Sequence, residues 1–139
     1  MLKKILVLSI PRLEPHRPPI SSTIVATVCK NLGHNVVLRD LNIEFYHFCK
    51  SNNVDYHRFD PVWDKFIEPT QQDLDYIDEN IKNFCLSEDF KIYDYVMLSV
   101  FGMSNHFFAE RLLRAIAPNR TFKIFRYMFC SFRRCLFDI

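Results

Sequence analysis

With 139 residues, 49% of them hydrophobic, and a net charge of +2, the chain has the size of one domain and ample apolar content for a packed core. Its apolar runs are all shorter than a membrane span. At the N-terminus two lysines and six uncharged residues are followed at once by Pro11, too early for a signal-peptide core, so no membrane is expected and the cytoplasm is the predicted compartment. Basic residues are scattered apart from Arg126, Arg133 and Arg134, which predicts no nucleic-acid surface, and two glycines in the whole chain, Gly33 and Gly102, are too few for a P-loop or a dinucleotide fingerprint.

Residues 3–10, KKILVLSI, form a continuous β-branched and leucine run, the pattern of a central parallel strand covered on both faces by helices. A stiff loop with four prolines, Pro11, Pro15, Pro18 and Pro19, follows. Ser21 or Ser22 is the expected cap of a helix running to Leu32, with Ile24, Val25, Val28, Cys29 and Leu32 at helical spacing. Gly33 stands where a left-handed helix end is needed, and His34 is expected on a solvated turn. NVVLRDLN (35–42) reads as the second strand, which makes the opening 42 residues a right-handed strand-helix-strand unit.

From 43 to 69 the period weakens, with one or two helical turns expected in IEFYHFCK and then an aromatic-rich stretch. We read the segment as an ordered insertion. Thr70 with Asp73 signals a helix start, and Leu74, Ile77, Ile81, Phe84 and Cys85 place an apolar stripe on a helix of about four turns. YDYVMLSVF (93–101) is another buried strand. SNHFFAERLLRAIAPN (104–119) opens on a serine cap, carries Phe108, Leu112, Ala115 and Ile116 on one face and stops at Pro118, and TFKIF (121–125) begins a fourth strand. The expected organisation is a single α/β domain over 1–125 with a divergent tail at 126–139. Its strands lie in one parallel sheet in the order 2-1-3-4, the C-terminal part of the fold being incomplete.

Five cysteines, Cys29, Cys49, Cys85, Cys130 and Cys135, are odd in number and lack the short spacings of zinc or iron–sulfur ligands, so no cluster is expected and most are read as buried thiols. His47, His57 and His106 lie near acidic residues in sequence, with no spacing that pairs a base with a nucleophile.

In such a sheet the strand-to-helix loops share one edge, where ligands bind. Residues 11–19 and 101–105 are the loops expected there, and the prolines either pre-order a surface for a flat ligand or simply delay the helix.

LVLSIPRLEPHRPPISSTIVATVCKNLGHNVVLRDLN and YDYVMLSVFGMSNHFFAERLLRAI resemble the two landmark segments of the cobalamin-binding domains that precede the catalytic barrel in radical S-adenosylmethionine enzymes. The resemblance spans residues 3–118 and rests on a hydrophobic pattern with proline, Gly-His, Asp and Ser at fixed places. It implies a flavodoxin-like, Rossmann-like three-layer sandwich that carries the corrin ring over the carboxyl edge and sinks the nucleotide tail between sheet and helix. Carried over by position, Pro11, Arg12, His16, Pro18 and Pro19 would lie near the corrin, and Ser99, Val100, Phe101 and Ser104 would line the tail or ring edge.

Asp40 and Asn42 match an Asp-x-Asn of that family, but a turn or helix cap after the strand is the favoured reading of the acidic residue. Ser99 has the alternative of a buried hydroxyl bonded to nearby backbone. Glu14-Pro15-His16 places a carboxylate two residues before a histidine, as in related folds where that histidine is the lower ligand of cobalt. His16 is therefore the one metal candidate, an exposed loop histidine being the other reading.

The family's glycine pair after the fourth strand has no counterpart in KIFRYMFCSFRRCLFDI, and neither the barrel nor its cysteine motif is present. The function implied is a corrinoid-binding module, weak in affinity, acting with a radical enzyme's barrel domain or associating with itself. The alternative is a flavodoxin-like interaction or regulatory module that has lost its cofactor.

Overall fold

The computed structural model describes residues 1–11, 20–59, 68–86, 90–100, 103–116 and 123–128, the last group and residues 103 and 104 as backbone. Four strands, β1 (Lys4–Ser9), β2 (Asn35–Asp40), β3 (Tyr95–Val100) and β4 (Lys123–Met128), pair in the order β2-β1-β3-β4, every pairing parallel. This is the α/β flavodoxin-like arrangement expected from the sequence. The helices are α1 (Ile20–Asn31), α2 (Leu41–Ser51), α3 (Gln71–Leu86) and α4 (Met103–Ile116). Among the described residues no helix is long and apolar enough to cross a membrane.

Alternation along the strands divides the core in two. Leu6, Leu8, Ile10, Val96, Leu98 and Val100 face α2, α3 and α4 and form the larger core with them. Ile5, Val7 and Val36 face the other way and pack against Ala26 and Cys29 of α1, with Val25, Tyr95 and Met97 only half-buried around them. The burial of β3 alternates accordingly, full on the side of the larger core and partial toward α1.

The sequence expectations hold well for α3 and α4. Ile77, Ile81, Phe84 and Cys85 are buried on α3, Phe108, Leu112 and Ile116 on α4. The start of α3 is a reciprocal cap, in which the Asp73 amide donates to Thr70 Oγ1 at 3.2 Å and the Thr70 amide and hydroxyl donate to Asp73 Oδ2 at 3.2 and 2.6 Å. Helix α1 ends in a Schellman pair, Gly33 N–H to the Lys30 carbonyl at 2.9 Å and His34 N–H to the Cys29 carbonyl at 3.1 Å, with Gly33 at φ 85°. His34 is half-buried rather than on an open turn.

Three expectations are corrected. Ser21 and Ser22 do not cap α1, which starts at Ile20 and carries them in its first turn; likewise α4 starts at Met103, ahead of Ser104. The face of α1 on the sheet is Ser22, Ala26 and Cys29, while Ile24, Val28 and Leu32 are exposed. Small side chains let the helix approach the strands closely, and that rotates the larger aliphatic residues outward. Segment 43–50, expected to give one or two turns, belongs to an eleven-residue helix that contributes the centre of the larger core. There Phe45 is fully buried, with the rings of Phe59, Phe84 and Phe108 edge-on at centroid distances of 5.2, 5.4 and 5.1 Å.

Candidate functional site

The carboxyl edge of the sheet carries a polar row that alternation places on the α1 side. Strand register puts Ser9, the last residue of β1, between Asp40 of β2 and Ser99 of β3. Ser9 is buried, and its hydroxyl donates to Asp40 Oδ1 at 2.9 Å. The same carboxylate oxygen accepts the amide of Asn42 at 3.0 Å and caps α2, so the capping reading of Asp40 is the one realised. One side chain therefore ties the ends of two adjacent strands to the helix that follows.

On the β3 side, Ser99 is half-buried and its Oγ lies 2.7 Å from Ser21 Oγ in the first turn of α1. The alternative reading of Ser99 gave this hydroxyl a nearby backbone partner. A side chain from the element after the proline loop takes that place instead. Ser22, beside it, is fully buried.

Across the sheet, Asn105 of α4 is 3% exposed and donates from Nδ2 to the Ile10 carbonyl at 3.0 Å. An amide donor buried at this depth is costly unless paired. Its bond fixes the start of the loop after β1 against the helix that follows β3, as expected for loops leaving adjacent central strands.

Of the sequence-derived site residues, Pro11 and Val100 are buried at this edge, and Ser99 joins the polar row. Arg12, His16, Pro18, Pro19 and Phe101 lie outside the described residues, as does the side chain of Ser104. Ser9, Ser21 and Asn105 were missed as site residues. Only Ser9 has a local signal, a hydroxyl interrupting an apolar run one residue before the loop.

The row offers hydroxyl donors and acceptors. Among the described residues no group of three or more His, Cys, Asp or Glu side chains comes together. Cys29, Cys49 and Cys85 are buried free thiols; burial raises the pKa of Cys29 and pushes that of Cys49 up to about 12, which keeps both protonated and unreactive at neutral pH. The described edge is thus equipped to bind and orient a polar ligand by hydrogen bonding.

Comparisons with family models, with curated proteins and with solved structures find no match to this chain.

Proposed function

We propose that the chain is a corrinoid-binding module of flavodoxin-like architecture, working with the catalytic barrel of a radical S-adenosylmethionine enzyme. The observation that carries the reading is the Ser21–Ser99 hydroxyl pair at 2.7 Å, which sits between α1 and the end of β3, where the family resemblance puts the cofactor's nucleotide tail. A corrinoid tail is rich in amide, hydroxyl and phosphate groups. Two half-buried hydroxyls fit such a group, since each can turn from its partner to a ligand without leaving a buried donor unpaired.

In this reading Ser21 and Ser99 hold the tail. Asp40 Oδ1 accepts from Ser9 and Asn42, and its task is to keep the strand ends in register. The resemblance places the proline loop near the ring, with His16 as the candidate lower ligand of cobalt. When bound, the corrinoid would supply methyl-carrying chemistry, and the reacting partner would come from the barrel domain.

A second reading, an interaction module that has lost the cofactor, is favoured by the absence of any glycine after Gly102, where a tail lying on backbone needs one. Titration with hydroxocobalamin followed in the visible spectrum separates the two. A saturable spectral change supports the corrinoid module; an unchanged spectrum at every concentration rejects it in favour of the interaction module.

A further inference from the structure

Strand β2 ends the sheet, and among the described residues nothing pairs with its outer side. Its ladder with β1 runs unbroken from Asn35 to Asp40, so no bulge bends the edge away, and it carries no proline and no charge before Arg39. The Asn35 N–H donates to the Lys3 carbonyl at 2.9 Å, and the Arg39 carbonyl lies 3.5 Å from Ser9 Oγ, so the odd-numbered residues turn their backbone groups toward β1. Val36 and Leu38 therefore aim theirs outward. Val36 is buried against α1, which puts Leu38, 37% exposed, on the same face and Val37 on the other.

We infer that this edge joins a second copy of the chain, the two β2 strands running antiparallel across a two-fold axis at Val37. The outward groups can bond only where even-numbered residues stand opposite each other. With the axis at Val37, Val36 of each copy meets Leu38 of the other, Val37 meets itself, Asn35 meets Arg39 and His34 meets Asp40. Apolar residues are then matched on both faces, no like charges oppose, and Arg39 keeps its Glu44 partner at 3.0 Å. Moving the axis by one residue places Val36 opposite Asp40, or Leu38 opposite His34.

The helices fit the same arrangement. Ile5 and Val7 of β1 and Val36 of β2 pack on α1, so the helix runs over this pair of strands. With strands about 4.8 Å apart, two such helices lie roughly 10 Å from each other across the axis, the spacing of packed helices. Ser21 turns toward Ser99 of β3, and the 100° step per residue puts Ile20, Thr23 and Thr27 on the opposite flank, above β2. All three are exposed and uncharged. Lys30, also on that flank, can lay its stem along the second helix with its ammonium in solvent. The inference is independent of corrinoid binding, because the Ser21–Ser99 pair lies on the flank toward β3.

Light scattering on the full chain over a range of concentrations should read twice the mass of one chain. Leu38→Pro removes an outward N–H without touching the ladder to β1, and should leave a monomer of unchanged circular dichroism at concentrations where the wild type is dimeric. Val37→Cys, in a full chain with Cys130 and Cys135 replaced by serine, tests the register. Facing residues of this kind have Cα atoms about 4.5 Å apart, within disulfide reach, so mild oxidation should give a covalent dimer, and Asn35→Cys should give none. A monomer at every concentration overturns the inference. A dimer without the Val37→Cys link overturns it too, whatever Leu38→Pro does, because another surface then joins the copies; so does equal linking through Asn35→Cys, the mark of random collision.

Discussion

Ser21 and Ser99, 78 positions apart in sequence, place their hydroxyl oxygens 2.7 Å from each other and so join the start of α1 to the end of β3. In the proposed function this contact lies where the cofactor's tail would enter between helix and sheet. Filling it should therefore block a ligand. Ser99→Leu is expected to abolish the hydroxocobalamin-induced spectral change while far-ultraviolet circular dichroism is retained, and Ser51→Leu, at the exposed end of α2, should leave the change intact. Equal effects of the two substitutions would remove the carboxyl edge as the site.

The Asp40 carboxylate has two tasks, capping α2 and accepting from buried Ser9. Asp40→Ala removes both and leaves Ser9 with a long 3.5 Å contact to the Arg39 carbonyl, so a loss of about 2 kcal/mol is expected in urea unfolding. Asp40→Asn keeps an acceptor and a good cap and should recover most of it. An asparagine variant as unstable as the alanine one would show that the charge, rather than the hydrogen bonds, is what matters.

How much of this was legible follows from the range of each interaction. The strands, the Thr70 and Gly33 helix signals and the stripes of α3 and α4 depend on neighbours within a few residues, and the sequence carries them; the strand order, which pairs Ile5 with Tyr95, follows instead from the connection rules of parallel α/β sheets. The face of α1 misled because Ile24, Val28 and Leu32 have a helical period as good as that of the buried Ser22, Ala26 and Cys29. Periodicity finds a helix but cannot say which of two stripes meets the sheet when small residues permit a close approach. The edge cluster was half legible. Ser99 stood out within a segment that resembles a known family's landmark, whereas the pairings Ser9–Asp40, Ser21–Ser99 and Asn105–Ile10 join residues 31, 78 and 95 positions apart and have no local signature.

Phe45 lies outside any strong sequence period yet is fully buried, edge-on to the rings of Phe59, Phe84 and Phe108. Phe45→Ala should destabilise by about 3 to 5 kcal/mol through lost burial and a residual cavity. Phe45→Leu, which keeps much of the volume, should lose less. Chemical denaturation of the two variants measures both. A near-neutral Phe45→Ala would mean that α2 is peripheral to the core.

Gly33 offers a cleaner test of backbone strain, because a Cβ added there would meet nothing within 4 Å. Only its φ of 85° resists a side chain, so Gly33→Ala should lose about 1 to 2 kcal/mol with no change in packing. Gly33→Asn, which tolerates left-handed backbone better, should lie between the two. A loss under Gly33→Asn equal to that under Gly33→Ala would refute the backbone explanation.

Acid sensitivity should come from two carboxylates in the connection between β2 and β3, Asp73 at the start of α3 and Asp94 just before β3. Asp94 sits below its ordinary value of 3.8, chiefly because it accepts the Lys4 amide, at 2.7 Å, with Lys3 adding attraction at 3.6 Å. Asp73 is lowered first by its hydrogen bonds with Thr70 and less by Arg58. A carboxylate depressed in the folded state holds fewer protons there than in the unfolded chain. Its contribution to stability is therefore complete above the unfolded value and is lost as pH falls through the folded one. Denaturant midpoints should thus hold steady near neutrality and fall below pH 3.8. Asp94→Asn should lower stability at neutral pH and flatten that acid limb, since the proton-linked group is gone, and Thr70→Val should flatten it in part by releasing Asp73. Asp94 is exposed and Asp73 partly so, so salt weakens the Lys3 and Arg58 attractions and leaves the amide and hydroxyl hydrogen bonds in place. An acid limb equally steep in wild type and in Asp94→Asn would place the titrating groups elsewhere in the chain.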